Sequence, residues 1–216
     1  MNAIIQQFEV GPMANFAYIF GCASTRQVVI IDPTAEVPRL LHAVEELGAT
    51  LVAVINTHGH ADHIAGNAAV LAARPVPLIV HASCELHGDG MMSRQIFAML
   101  EGGPSPEPTR RVQHGDKIAV GELELEVVHA PGHTPGDMLL YHRGAVFTGD
   151  VLFVGGLGRT DLPGSSMQQM ARSLRERVAT LPDDTVVYPG HNYGPRPTST
   201  IGQEKRFNPY VAEVLQ

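Results

Sequence analysis

A chain of 216 residues, 44% hydrophobic and 17% charged, is long enough to bury a sizeable core, and this composition argues against disorder. Its net charge of −7, with no Lys/Arg run longer than two, excludes the basic stripe that would neutralise a phosphate backbone, so nucleic acid is not an expected partner. The opening "MNAIIQQFEVGPMANF" has no basic segment leading into a long apolar one. Neither export signal nor membrane span is expected, and the expected location is the cytoplasm.

The short β-branched and aromatic runs "IIQQFEV", "NFAYIF" and "QVVIID" predict three strands joined by tight turns. In "TAEVPRLLHAVEELG", Val37, Leu40, Leu41, Val44 and Leu47 recur at helical spacing, and Gly48 stands where a helix-ending glycine belongs. The continuous apolar run "LVAVINT" predicts a strand buried on both faces. A helix over "HIAGNAAVLAAR", a strand in "PLIVH" and a helix over "RQIFAMLEG" complete the first half, which a Pro-rich loop, "GGPSPEPTRR", closes.

The second half repeats this style. Strands are predicted in "DKIAV", "LELEVVHA", "DMLLYH" and "AVFTGD", then a helix over "SMQQMARSLRERVATL", a strand in "TVVYPG" and a last helix in "GQEKRFNPYVAEVL" interrupted near Pro209. Strands followed by helices, twice, predict two sheets packed face to face with helices outside, in one domain over 1–216 whose halves divide near 102–112. Cys22 and Cys84 stand in no paired or CxxC spacing, which leaves them as small apolar packing.

Histidine is the anomaly: the chain has 11, against 15 Lys plus Arg. Four turn segments, each directly after an apolar strand, carry ligand-type residues: "THGHADH" (57–63), "APGHTPG" (130–136), "FTGD" (147–150) and "YPGH" (188–191). A sheet fixes such positions while the loops stay free to vary. A divalent ion needs imidazole nitrogens and carboxylate oxygens converging at about 2.0–2.2 Å. His58 and His60, two apart, point the same way in extended chain, whereas Asp62 and His63 turn away as a helix begins. His58, His60 and His133 are therefore expected to hold one ion and Asp62, His63 and His191 a second, with Asp150 bridging. His42, His81, His87, His114, His129 and His142 lack this context and read as packing or surface residues.

With these motifs in this order, over nearly the whole length, the chain resembles the metallo-β-lactamase superfamily. The resemblance implies an α/β fold, a four-layer αββα sandwich of two mixed sheets, with Asp32 in "IIDP" supporting the site through hydrogen bonds rather than as a ligand. "GDVLFVGGLGRTDLPG" and "YPGHNYGPRPTSTIGQEKRFNP" resemble the glyoxalase II group, which hydrolyses acylated glutathione, and the related persulfide dioxygenases. Carried over by position, Arg159 and Tyr193 would contact a small thioester or thiol substrate, with Asp161 orienting Arg159.

The implied activity is metal-dependent thioester hydrolysis at two divalent ions, zinc by expectation with iron or manganese as alternatives, and Asp62 and Asp150 as the catalytic carboxylates. The rival within the family is a one-iron persulfide dioxygenase on His58, His133 and Asp150. A lactamase or lactonase, and a metal-binding protein without turnover, are further alternatives. The sequence does not set the oligomeric state and leaves a homo-oligomer open. "HTPGD" departs from the group's pattern: several relatives have His, Cys or an apolar residue where this chain has Asp137.

Overall fold

The computed structural model describes residues 2–87 and 90–216. The first half runs β1 (Ala3–Val10), β2 (Asn15–Cys22), β3 (Gln27–Ile31), α1 (Val37–Glu46), β4 (Thr50–Ile55), α2 (Ala61–Ile64), α3 (Asn67–Ala73), β5 (Leu78–His81), α4 (Met91–Met99) and β6 (Arg110–Val112). Its six strands form one sheet in sequence order, antiparallel from β1 to β3 and parallel from β3 to β6.

The second half runs β7 (Lys117–Val120), β8 (Leu123–His129), β9 (Met138–His142), β10 (Ala145–Gly149), α5 (Met167–Ser173), β11 (Val186–Pro189), β12 (Ser199–Thr200), α6 (Ile201–Phe207) and α7 (Pro209–Val214). A π-helical turn, Leu174–Val178, continues α5. The second sheet has the order β12-β11-β10-β9-β8-β7, with β10 and β11 its parallel pair.

Strand alternation sorts the apolar side chains into layers. Along β2, Phe16, Tyr18 and Phe20 enter the core between the sheets, while Ala17 and Ile19 face the helices on the other side. The central core joins these to Ile31, Ile55 and Ile79 of the first sheet and to Leu125, Val127, Met138, Leu140 and Phe147 of the second. Outside the first sheet, Leu40 and Val44 of α1, Val70 of α3 and Phe97 of α4 cover Ile30, Val54 and Leu78. Outside the second, Met170, Leu174, Ile201 and Val211 cover Leu139, Val146 and Val187. The four layers are the αββα sandwich expected. Among the described residues no helix is long and apolar enough to cross a membrane.

Local chemistry explains the boundaries. Gly48 at φ 57° ends α1 as anticipated. Asn208 caps α7 by accepting from the Tyr210 and Val211 N–H groups, with Pro209 at the first turn, which separates α7 from α6. Cys22 and Cys84 are both buried and free.

Two expectations are corrected. The helix expected over 63–74 is two helices, because the chain passes so close to β3's exit that Gly66 N donates to Pro33 O at 2.8 Å and a Cβ at Gly66 would lie 2.2 Å from that oxygen. The Pro-rich segment read as loop ends in β6, whose Arg110–Val112 pair in parallel with Ile79–His81. Polar Arg110 and Arg111 hid this edge strand, whose backbone pairing outweighs their low strand propensity.

Candidate metal centre

The His- and Asp-bearing turn segments converge at one rim of the sandwich, where β3, β4, β8, β10 and β11 end. Each strand delivers one element: Asp32 after β3, the 57–63 segment after β4, His133 after β8, Asp150 after β10 and His191 after β11. His58, Asp62, His63, His133, Asp150 and His191 are all buried.

Hydrogen bonds set the imidazole orientation. His133 Nδ1 lies 2.8 Å from Arg159 O, His191 Nδ1 3.0 Å from Met13 O and His63 Nδ1 3.1 Å from Asp32 Oδ2. Each acceptor oxygen takes the Nδ1 proton and turns Nε2 inward. Thr57 does the same for His58: its hydroxyl donates to Asp32 Oδ2 at 2.6 Å and so accepts from His58 Nδ1 at 3.1 Å. His60 is reversed, with Nδ1 facing inward 2.8 Å from His133 Nε2.

The donor atoms fall into two sets, His58/His60/His133 and Asp62/His63/His191, each with its three atoms within 4.8 Å of one another. Tetrahedral donors at about 2.0–2.1 Å from an ion are about 3.4 Å apart. In the second set His63 Nε2 and His191 Nε2 are 3.2 Å apart, and Asp62 Oδ2 is 3.6 and 3.3 Å from them. Asp150 lies between the sets: Oδ1 is 3.3 Å from His63 Nε2, and Oδ2 is 3.4 Å from His133 Nε2 and 3.5 Å from His191 Nε2. His58 Nε2 and Asp150 Oδ1 are buried without a hydrogen bond among the described residues, a costly state for polar atoms that a cation relieves. The donors present therefore fit divalent metal.

Asp32, His58 and His63 also approach one another. Asp32 is occupied elsewhere, since Oδ1 accepts from Thr57 N at 2.8 Å and Oδ2 from the Thr57 hydroxyl and His63 Nδ1. Its backbone is left-handed, φ 48°, a turn that swings the carboxylate under the histidine segment. This is a supporting position rather than a third set.

Charge divides the two sets. Burial holds His58 well below the usual imidazole range and His60 down at about 3, so both are neutral donors. Burial also opposes charge on His63 and His191, but the Asp150 and Asp62 carboxylates outweigh it, lifting His63 well up and His191 to about 9. The same pairing holds Asp62 and Asp150 below the usual carboxylate range against their burial.

The two residues expected to contact substrate lie beside His191 and His133. Tyr193 stacks on His191, ring centroids 4.5 Å apart, is 59% exposed, and burial beside Asp150 and Asp62 pushes its phenol up to about 12. Arg159 makes a bidentate pair with Asp161, both contacts 2.9 Å, and this pair faces solvent; only its carbonyl reaches the donors.

Two residues at the centre, Asn15 and Thr57, have no role assigned from the sequence, and a third, His87, reads there as packing or surface. Asn15, fully buried, donates through Nδ2 to Asp62 O at 3.1 Å and Oδ2 at 3.2 Å. Thr57 couples Asp32 to His58, as above. The His87 ring lies 5.1 Å from that of His60. A polar residue opening an otherwise apolar strand was the signal for Asn15; His87 carried none. Gly190 packs so tightly that a Cβ there would lie 2.3 Å from Asp150 Oδ1, which excludes any side chain just before His191.

A family model described as the metallo-beta-lactamase superfamily matches residues 10–191. The chain is 34% identical to the mitochondrial persulfide dioxygenase ETHE1 of Homo sapiens, over 94% of this chain and 74% of that protein. It is 32% identical to hydroxyacylglutathione hydrolase GloC of Haemophilus influenzae, over 86% of this chain and 88% of that protein. Among solved structures, TTHA1623 in a di-iron-bound form superposes with a TM-score of 0.82 at 32% identity, covering 95% of this chain and 99% of that one. The chain belongs to the metallo-β-lactamase superfamily.

Proposed function

We propose that the chain is a two-ion hydrolase that cleaves a thioester of a small thiol. The observation that carries this reading is the second donor set: Asp62, His63 and His191 stand at 3.2–3.6 Å from one another, the spacing of ligands around one ion, beside a separate three-histidine set. His58, His60 and His133 would hold one ion and Asp62, His63 and His191 the other, with Asp150 between them, its Oδ2 within 3.5 Å of a histidine of each set. When bound, such ions supply Lewis acidity and bring the pKa of water towards neutrality.

The chain's own residues do the rest. Asp150 fixes the spacing between the two sets. Asp62, with Oδ2 committed to His63 and His191, keeps its other oxygen to orient the attacking water. Hydroxide adds to the thioester carbonyl carbon and the carbon–sulfur bond breaks, giving a carboxylate and a thiol. Thiolate leaves readily, which agrees with the lack of a strong general acid among the donors. The protonated Tyr193 phenol, exposed beside His191, would donate to the substrate, and Arg159, paired with Asp161, would offer a cation for its anionic portion. Zinc is the expected ion, and similarity to a di-iron-bound protein makes iron the alternative.

A second reading, persulfide dioxygenation at one iron on His58, His133 and Asp150, is favoured by the likeness to human ETHE1. Purified chain would be assayed with S-lactoylglutathione for thiol release and, separately, with glutathione persulfide for oxygen uptake. Thiol release with no oxygen requirement is expected; oxygen uptake without thioester cleavage contradicts the hydrolase. His60→Ala should lower turnover at least about 100-fold by removing a donor. His42→Ala, at an exposed position on α1 beside Glu46, should leave it within about twofold.

A further inference from the structure

Asp137 takes no part in either donor set, yet it is 2% exposed at the foot of β9. A carboxylate is costly to bury unless its oxygens are fully hydrogen-bonded. Here they are: Oδ2 accepts from His133 N at 2.8 Å and Thr134 N at 2.7 Å, and Oδ1 accepts from the Thr134 hydroxyl. The Asp137 carbonyl also accepts from Ala130 N at 3.0 Å, closing the 130–136 segment into a loop.

The next residue ties this loop to the other source of donors. Met138 N donates to Thr57 O at 2.9 Å, directly before His58. Residues 137 and 138 thus hold the His133 backbone on one side and the root of the His58/His60 segment on the other. Asp62, His63 and His191 have no such link to Asp137; their orientation comes from Asn15, Asp32 and Met13.

We propose that Asp137 is the positioning residue of the three-histidine set, fixing His133 against His58 and His60 without touching an ion. The proposal rests on the metal reading above and deepens it, because it assigns the departure from the family pattern at "HTPGD" to one half of the centre. An apolar residue at 137 can fill the space but cannot accept three hydrogen bonds. Asparagine can: its oxygen accepts the two N–H groups and its amide donates to the Thr134 hydroxyl.

The test is cobalt and zinc titration of the full chain against a competing chelator. Wild type should take up two ions. Asp137→Leu should weaken uptake at one class of site about 10–100-fold, the range for removing a group that orients a ligand, and leave the other within about threefold. Asp137→Asn should stay within about threefold at both. Assignment uses two backgrounds: with His191→Ala, only the three-histidine set remains and Asp137→Leu should weaken it; with His60→Ala, it should have no effect. Should Asp137→Leu fail to fold, Thr134→Val, which removes one of the three bonds, should weaken the same set several-fold.

Equal weakening of both classes, or none in either variant, overturns the proposal while wild-type uptake of two ions keeps the reading beneath it. A wild-type chain that takes up no ion overturns both.

Discussion

Four imidazoles at the centre are aimed by one device, an oxygen at Nδ1 that turns Nε2 inward, and only the Asp32 oxygen belongs to a residue the sequence singled out for that task; Arg159 was named for its side chain, not its carbonyl. Asp32 aligns His63, whereas the Thr57 hydroxyl and the carbonyls of Met13 and Arg159 align the other three. The seven donors were legible because imidazoles and carboxylates clustered at strand ends have few other uses. Their partners were not, because any residue has a carbonyl and only the fold says which one arrives. Asn15 shows the same limit, since its partner Asp62 is 47 positions away.

His81, outside the centre, gives a prediction at this scale. Its ring stacks on His129 with centroids 3.8 Å apart, and its Nδ1 accepts from Ser83 N at 3.2 Å. Burial, with the His129 and His114 imidazoles nearby, pushes it down to about 4. The folded chain therefore binds fewer protons here than the unfolded chain between about pH 6.5 and 4. The stability from the neutral ring is present above the unfolded value and lost as pH falls through that window. Thermal melts should show wild type losing more Tm than His81→Leu between pH 7.5 and 5. Parallel losses would contradict the assignment.

At the scale of elements, strands were read more securely than helices because buried β-branched runs declare themselves, while the break at Gly66 depends on the distant Pro33 carbonyl. β10 shows how packing supports chemistry. Phe147, fully buried, packs against Tyr18, Phe20 and Tyr188 with centroids 5.0, 5.9 and 5.3 Å away. It lies three residues before Asp150. Phe147→Ala should cost about 3–5 kcal/mol in chemical denaturation, the usual range for emptying such a site. It should also weaken metal uptake by loosening Asp150. A loss under about 1 kcal/mol would mean that β10 does not depend on this cluster.

At the scale of the whole molecule, the αββα arrangement was legible from the order of strands and helices, and the pairing of β6 and β12 was not, because both are short and polar. We take the chain as one folding unit, since the central core draws Phe20 and Ile55 from one half and Leu125 and Phe147 from the other. Neither half can bury its inner sheet face alone. A calorimetric scan of the metal-loaded chain should therefore show one transition; two well-separated ones would divide it near 102–112.

The most direct test of the two-ion account is to strip the protein of metal and restore zinc in steps under anaerobic conditions while following thioester cleavage. Activity should rise until two equivalents per chain are bound and need no oxygen. Saturation at one equivalent, or turnover only with a single iron and oxygen, would contradict it.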